Sequence, residues 1–199
     1  MPMIRGVVFD LDGTLIDSRL DFPRIRAEMR LPPGQVGILE SVLALADESH
    51  RAHCEQVLWS HEQQGAQSAT LMDGARELLR VLAQRQIPTA VLTRNSRRST
   101  DLALNRLDLG FSQVLTREDA PPKPDPAGLL QICENWGFTR HEVLFVGDFQ
   151  FDLQTGQQAG VRTVLYAPGG LPTYADEADF VIPHLSDLVG IVEKISGEG

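Results

Sequence analysis

The sequence predicts an α/β fold: a parallel sheet between two layers of helices, with an all-helical insertion near the N-terminus. Three observations predict it. Short β-rich runs alternate with helical patterns along most of the 199 residues, the rhythm that parallel strands joined by crossover helices require. Several of these runs are almost wholly apolar, as strands covered on both faces are. From residue 17 to residue 71 the rhythm stops, with no convincing strand, and the stretch is too long for a loop inside a compact domain.

In chain order, strands are expected over residues 4–9, 87–93, 111–115, 142–146, 161–166 and 180–182. From Asp73 the pattern DGARELLRVLAQRQ puts Ala75, Leu78, Leu79 and Leu82 on one helical face, with Asp73 as N-cap and Glu77 in the first turn. Pro126 suits the first turn of a helix running to Trp136, which Gly137 stops. Further helices are expected over 152–159, ended by Gly160, and over 186–195. Within the insertion, 23–31 is helical in pattern and LPPG at 31–34 breaks it. Residues 36–46 and 49–64 then read as one bent helix or two, and 196–199 are expected to fray.

Composition narrows the function. The chain is 42% hydrophobic and 23% charged, which is ordinary for a globular protein and excludes disorder as the main state. With 18 basic and 27 acidic side chains the formal charge is −9, which argues against binding nucleic acid. A small anion in a locally positive pocket remains compatible with that charge. No apolar run approaches the roughly 20 residues that span a bilayer, so no membrane association is expected. MPMIRGVVFDLDG does not read as a signal peptide, and Cys54 and Cys133 read as reduced thiols, so a cytoplasmic location is expected.

Four segments carry candidate chemistry. Asp10-Leu11-Asp12-Gly13-Thr14 lies where the first strand ends, the edge at which open α/β sheets bind ligands. Asp10 and Asp12, two apart in extended chain, can address one site, and two close carboxylates need a cation or a shared proton. Gly147-Asp148-Phe149-Gln150-Phe151-Asp152 repeats the theme after the fourth strand, with Asp152 also suited to cap the next helix. Asp10, Asp12 and Asp148 together have the character of a magnesium site, with few hard oxygens and room for water and phosphate. Thr93, leading into Arg94-Asn95-Ser96, offers a hydroxyl and backbone N–H groups to a phosphate. Lys123, in the stiff loop APPKPDP, offsets the negative charge. Each segment alone has a plainer reading: a polar turn, a helix cap or a solvated loop lysine.

In this order the segments resemble the four motifs of the haloacid dehalogenase-like superfamily, and most of all its phosphoglycolate phosphatase-like subgroup. The resemblance covers nearly the whole chain. It implies a Rossmann-like catalytic core formed by residues 1–16 and 72–199, with residues 17–71 as a small helical cap. It implies a Mg2+-dependent phosphatase acting on a small phosphorylated metabolite, phosphoglycolate-like or a sugar phosphate. Asp10 would be the nucleophile and Asp12 the acid and base. Thr93 and Lys123 would bind the phosphoryl group. The metal would be held by Asp10, the Asp12 carbonyl and Asp148, and Asp152 would act through a metal-bound water or by orienting Lys123. Dehalogenating members lack the second aspartate, so Asp12 favours phosphoester chemistry. Arg94 departs from the Asn or Gly of many relatives, and the short cap implies an open, less selective site. A phosphomutase and a non-catalytic phosphate or magnesium sensor are the alternatives, and the protein is expected to be a monomer or homodimer.

His50, His53 and Cys54 share a helical face in the insertion and read as a packed surface rather than a metal site, with His61 nearby. Arg19, Arg24, Arg26, Arg30 and Arg51 are candidates for a second anionic group of the substrate, but most are expected to be solvated.

Overall fold

The computed structural model describes residues 3–34 and 37–197. Six strands, β1 (Gly6–Phe9), β4 (Thr89–Leu92), β5 (Gln113–Leu115), β6 (Val143–Gly147), β7 (Arg162–Tyr166) and β8 (Phe180–Ile182), form one sheet in the order β5-β4-β1-β6-β7-β8. Every pairing in it is parallel. All six expected strands are present, most of them trimmed by a residue or more at one or both ends.

Side chains alternate across this sheet as the two-residue period demands. Val7 and Phe9 of β1, with Leu144 and Val146 of β6, pack into one apolar cluster. Val8, Val143 and Phe145 pack into the other. The first face is covered by α4 (Ala75–Gln84), α5 (Arg97–Arg106) and α8 (Leu188–Gly197), which contribute Leu78, Leu82, Leu104, Leu188 and Val192. The second is covered by α6 (Ala127–Trp136) and α7 (Gln150–Ala159), through Leu129, Ile132 and Ala159. The result is a three-layer, Rossmann-like α/β/α core. Gly137 and Gly160 end α6 and α7 at φ 66° and 70°, the left-handed caps expected of them. Asp73 does not cap α4. The N-cap is Gly74 at φ 77°, because Met72–Gly74 turns too sharply for a side-chain cap.

The insertion is helical: α1 (Phe22–Glu28), α2 (Ile38–Leu43) and α3 (Glu48–Ser68). Two helices, not one bent one, follow the LPPG break, since residues 44–47 leave the helical path and Asp47 caps α3 through Ser49 and His50 N–H. Val36, expected to open α2, lies outside the described residues, as do the last two of the residues expected to fray. The three helices share their own core of Ile25, Met29, Leu31, Val42, Cys54 and Leu58. A two-stranded antiparallel ribbon, β2 (Ile16–Asp17) with β3 (Thr70–Leu71), ties the ends of the insertion together. The sequence shows no strand there because two residues are too few for a periodic signal. The His50 and His53 rings donate to the carbonyls of Met29 (2.7 Å) and Glu28 (3.2 Å), closing the open end of α1. Cys54 and Cys133 are buried free thiols. No described helix is long and apolar enough to cross a membrane.

Candidate active site

Asp10, Thr93 and Asp148 are each the first residue after a central strand: β1, β4 and β6 respectively. Adjacent parallel strands end side by side, so three chemically active residues meet at the carboxyl edge of the sheet. Lys123 reaches the same point from the loop between β5 and α6, and Asp152 from the first turn of α7. All of these, with Asp12, line one cavity of about 910 Å³ between the sheet edge and the insertion.

The floor is a buried ion cluster. The Lys123 ammonium, 4% exposed, donates to Asp10 Oδ1 at 2.5 Å and to Asp152 Oδ1 at 2.6 Å. Asp152 Oδ2 accepts the Phe149 N–H at 3.0 Å, which ties it to the start of α7. The helix therefore begins two residues before the Asp152 start expected from sequence, and Asp152 serves both the cap and the lysine. Thr14 Oγ1 donates to Asp148 Oδ1 at 3.1 Å, joining the first and last motifs. Gly13 makes that approach feasible. Its φ is +83°, and a Cβ there would sit 2.3 Å from Asp148 Oδ2. The Asn95 amide donates to Asp12 Oδ2, while the Asn95 N–H donates to the Thr93 hydroxyl at 3.2 Å.

Charge in the cluster is unbalanced. Burial pushes Asp10 well above the usual carboxylate range even though Lys123 opposes it. Burial, with the Asp152 charge, pushes Asp148 up to about 6. Burial raises Asp12 too, against hydrogen bonds from Ser18 and Asn95. Burial works against the charge of Lys123, but Asp10 and Asp152 outweigh it and hold the ammonium protonated above its ordinary value. Asp10, Asp148 and Asp152 each offer an oxygen within 4.8 Å of the others, against a single lysine. Asp12 Oδ1 is buried with no hydrogen-bond partner among the described residues. An all-oxygen, charge-deficient set of this kind fits a small hard dication such as magnesium.

Three participants carry no side-chain signal of their own in the sequence. Asn95 offers only a backbone N–H there, and Thr14 is only part of the first motif. Glu40 of α2 had no signal at all, yet its carboxylate takes a bidentate bond from Arg94 Nη2, at 2.7 and 2.8 Å. Arg94 also donates to the Lys123 carbonyl and lies 4.4 Å over the Phe151 ring. A second bridge joins the insertion to the core, where buried Glu62 of α3 accepts from Arg117.

Comparison with known proteins agrees with this geometry. Residues 38–166 match the model of the haloacid dehalogenase-like hydrolases. A haloacid dehalogenase-like hydrolase domain-containing protein of Arabidopsis thaliana is 32% identical, over 96% of this chain and 84% of its own length. Phosphoglycolate phosphatase of Pseudomonas putida is 32% identical, over 97% of this chain and 82% of its own. The crystal structure of a predicted phosphoglycolate phosphatase from Haemophilus somnus superposes with a TM-score of 0.77 at 22% identity, covering 96% of this chain and 99% of that one. The chain belongs to the haloacid dehalogenase-like hydrolase family, and it is an enzyme of that family's phosphoglycolate phosphatase-like branch.

Proposed function

We propose that this hydrolase is a magnesium-dependent phosphatase that cleaves a small phosphomonoester through an aspartyl-phosphate on Asp10. Residues 1–16 and 72–199 form the catalytic core in this reading, and residues 17–71 act as its cap. The observation that carries it is the Lys123 ammonium, bonded at once to Asp10 and Asp152 beneath the cavity that Asp12, Thr93 and Asp148 also line.

An Asp10 carboxylate oxygen attacks phosphorus, and the bond from phosphorus to the alcohol oxygen breaks. Asp12, whose buried setting favours its protonated form, gives that oxygen its proton. Asp12, now ionised, takes a proton from water as the water oxygen attacks the aspartyl-phosphate, which releases inorganic phosphate and restores Asp10. The Thr93 hydroxyl and the Lys123 ammonium hold the phosphoryl oxygens, and Asp152 and Asn95 orient Lys123 and Asp12. Asp10, the Asp12 carbonyl and Asp148 would hold magnesium, which when bound would supply the positive charge that phosphoryl transfer needs. The alignment is fixed by strand ends before substrate arrives, so little reorganisation is needed at the moment of reaction.

The substrate class is a small phosphorylated metabolite, met in the cytoplasm by a monomer or homodimer. Release of inorganic phosphate from p-nitrophenyl phosphate, with and without magnesium, tests the reading. Magnesium-dependent release is expected. A protein that binds magnesium and releases no phosphate refutes it.

A further inference from the structure

The cavity above the phosphate site has a charge and surface pattern that bears on the alcohol half of the substrate. Among the described residues, four cationic side chains line it: Arg19, Arg26, Arg94 and Lys123. Three of them are already engaged, and Arg19 is 69% exposed with only a loose contact. Lys123 is held by Asp10 and Asp152, and Arg94 by both oxygens of Glu40. Arg26 donates to the Pro32 carbonyl at 3.0 Å and to Ser41 Oγ at 3.3 Å, and Arg19 lies 3.7 Å from Asp17. Glu40 takes Arg94 Nη2 and the Lys123 carbonyl takes Nη1, so both terminal nitrogens that a substrate carboxylate would need are in use. Carboxylates outnumber cations around the cavity.

The remaining wall is apolar. Leu20, Phe22, Ile38 and Leu39 come from the insertion, and Phe149 and Phe151 from the core. Phe22 and Phe149 are 56% and 50% exposed, among the few large apolar side chains left uncovered among the described residues. Phe22 opens α1 and Phe149 immediately precedes α7, and both line this one cavity. Phe149 is braced edge-on by Phe151 and Tyr174, at centroid distances of 5.2 and 5.9 Å. Exposed rings that line a cavity mark a ligand-contacting surface.

We infer that the substrate's alcohol carries no second negative charge and presents a flat apolar ring to Phe22 and Phe149, with Glu40 rejecting anionic alcohols by occupying Arg94. The inference rests on the phosphatase reading and narrows it. It separates this chain from a relative that cleaves phosphoglycolate, whose alcohol half is a carboxylate. Glu40 is a specificity residue that acts through Arg94, while Phe22 and Phe149 touch the substrate directly.

The test compares kcat/KM for three alkyl phosphates with similar leaving groups: 2-phenylethyl phosphate, phosphoglycolate and glucose 6-phosphate. The expected order places 2-phenylethyl phosphate about tenfold or more ahead of both others, the scale on which an apolar pocket discriminates. Phe22→Ala and Phe149→Ala should each lower the ratio of 2-phenylethyl phosphate to phosphoglycolate several-fold, through KM. Glu40→Gln should lower the same ratio by raising turnover of phosphoglycolate. Preference for phosphoglycolate or glucose 6-phosphate in the unaltered enzyme overturns the inference and leaves the phosphatase reading standing. Ratios unmoved by all three substitutions overturn it as well. Absence of phosphate release from every substrate, p-nitrophenyl phosphate included, overturns both.

Discussion

Replacing Lys123 by methionine keeps the stem and removes the one cation in the buried cluster. Asp10, Asp148 and Asp152 then share a site whose oxygens lie within 4.8 Å, with nothing positive between them. Breaking a buried ion pair from one side costs about 3–5 kcal/mol, because the abandoned charge stays desolvated. For a chain of this length that corresponds to a fall in Tm of roughly 6–20 °C. The carboxylates can relieve the strain by taking up protons, so the loss should be greater at pH 8 than at pH 5. Magnesium supplies replacement charge and should return part of the stability. Thermal denaturation of both proteins at the two pH values, with magnesium and with EDTA, measures all of this. A Lys123→Met protein as stable as the parent at pH 8 in EDTA would refute the claim that the cluster is held by charge balance. Phosphate release should fall at least about a hundredfold, even with stability restored by magnesium.

Other consequences are equally direct. Gly13→Ala should weaken magnesium binding, measured by titration calorimetry, because its Cβ would displace the Asp148 carboxylate from a contact of 2.3 Å and strain a φ of +83°. Unchanged affinity would show that Asp148 has room to spare. Asp12→Asn should depress turnover of alkyl phosphates far more than of p-nitrophenyl phosphate, whose leaving oxygen needs no proton. Equal losses would remove Asp12 from the acid role. In EDTA, Asp148 binds its proton more tightly folded than unfolded, with a pKa of about 6 against 3.8. Its contribution to stability therefore falls as pH rises from about 4 through 6, by roughly 3 kcal/mol. Magnesium should flatten that slope, and a slope of opposite sign in urea melts at several pH values would contradict the assignment.

The core was readable because its signals are long or chemically stark. Five-residue apolar runs such as Val143–Gly147 have few alternatives in a chain of this length. An aspartate placed directly after such a run, twice, marks the sheet edge where ligands bind. Asp10 and Asp148 hold such positions, Thr93 ends another apolar run, Lys123 lies in a proline-stiffened loop, Asp12 and Asp152 complete the two aspartate motifs, and all six line one cavity. The helix face carrying His50, His53 and Cys54 also packs as expected, against the carbonyls that end α1. What escaped depends on contacts between distant segments. Glu40 meets Arg94 across 54 residues, and Glu62 meets Arg117 across 55. No local pattern in α2 or α3 encodes those partners. The β2–β3 ribbon escaped for the opposite reason: it is local but only two residues deep on each side. Asp73 lost its capping role to Gly74 because the backbone there enters the left-handed region, a property that only the folded turn reveals.

The most direct test is to quench the enzyme during turnover with borohydride, which reduces an acyl phosphate on aspartate to homoserine, and to sequence the peptides by mass spectrometry. Homoserine at position 10, formed only when magnesium and substrate are both present, is the predicted result. Homoserine at Asp12, Asp148 or Asp152 instead, or none at any position during active phosphate release, would contradict an attacking oxygen at Asp10.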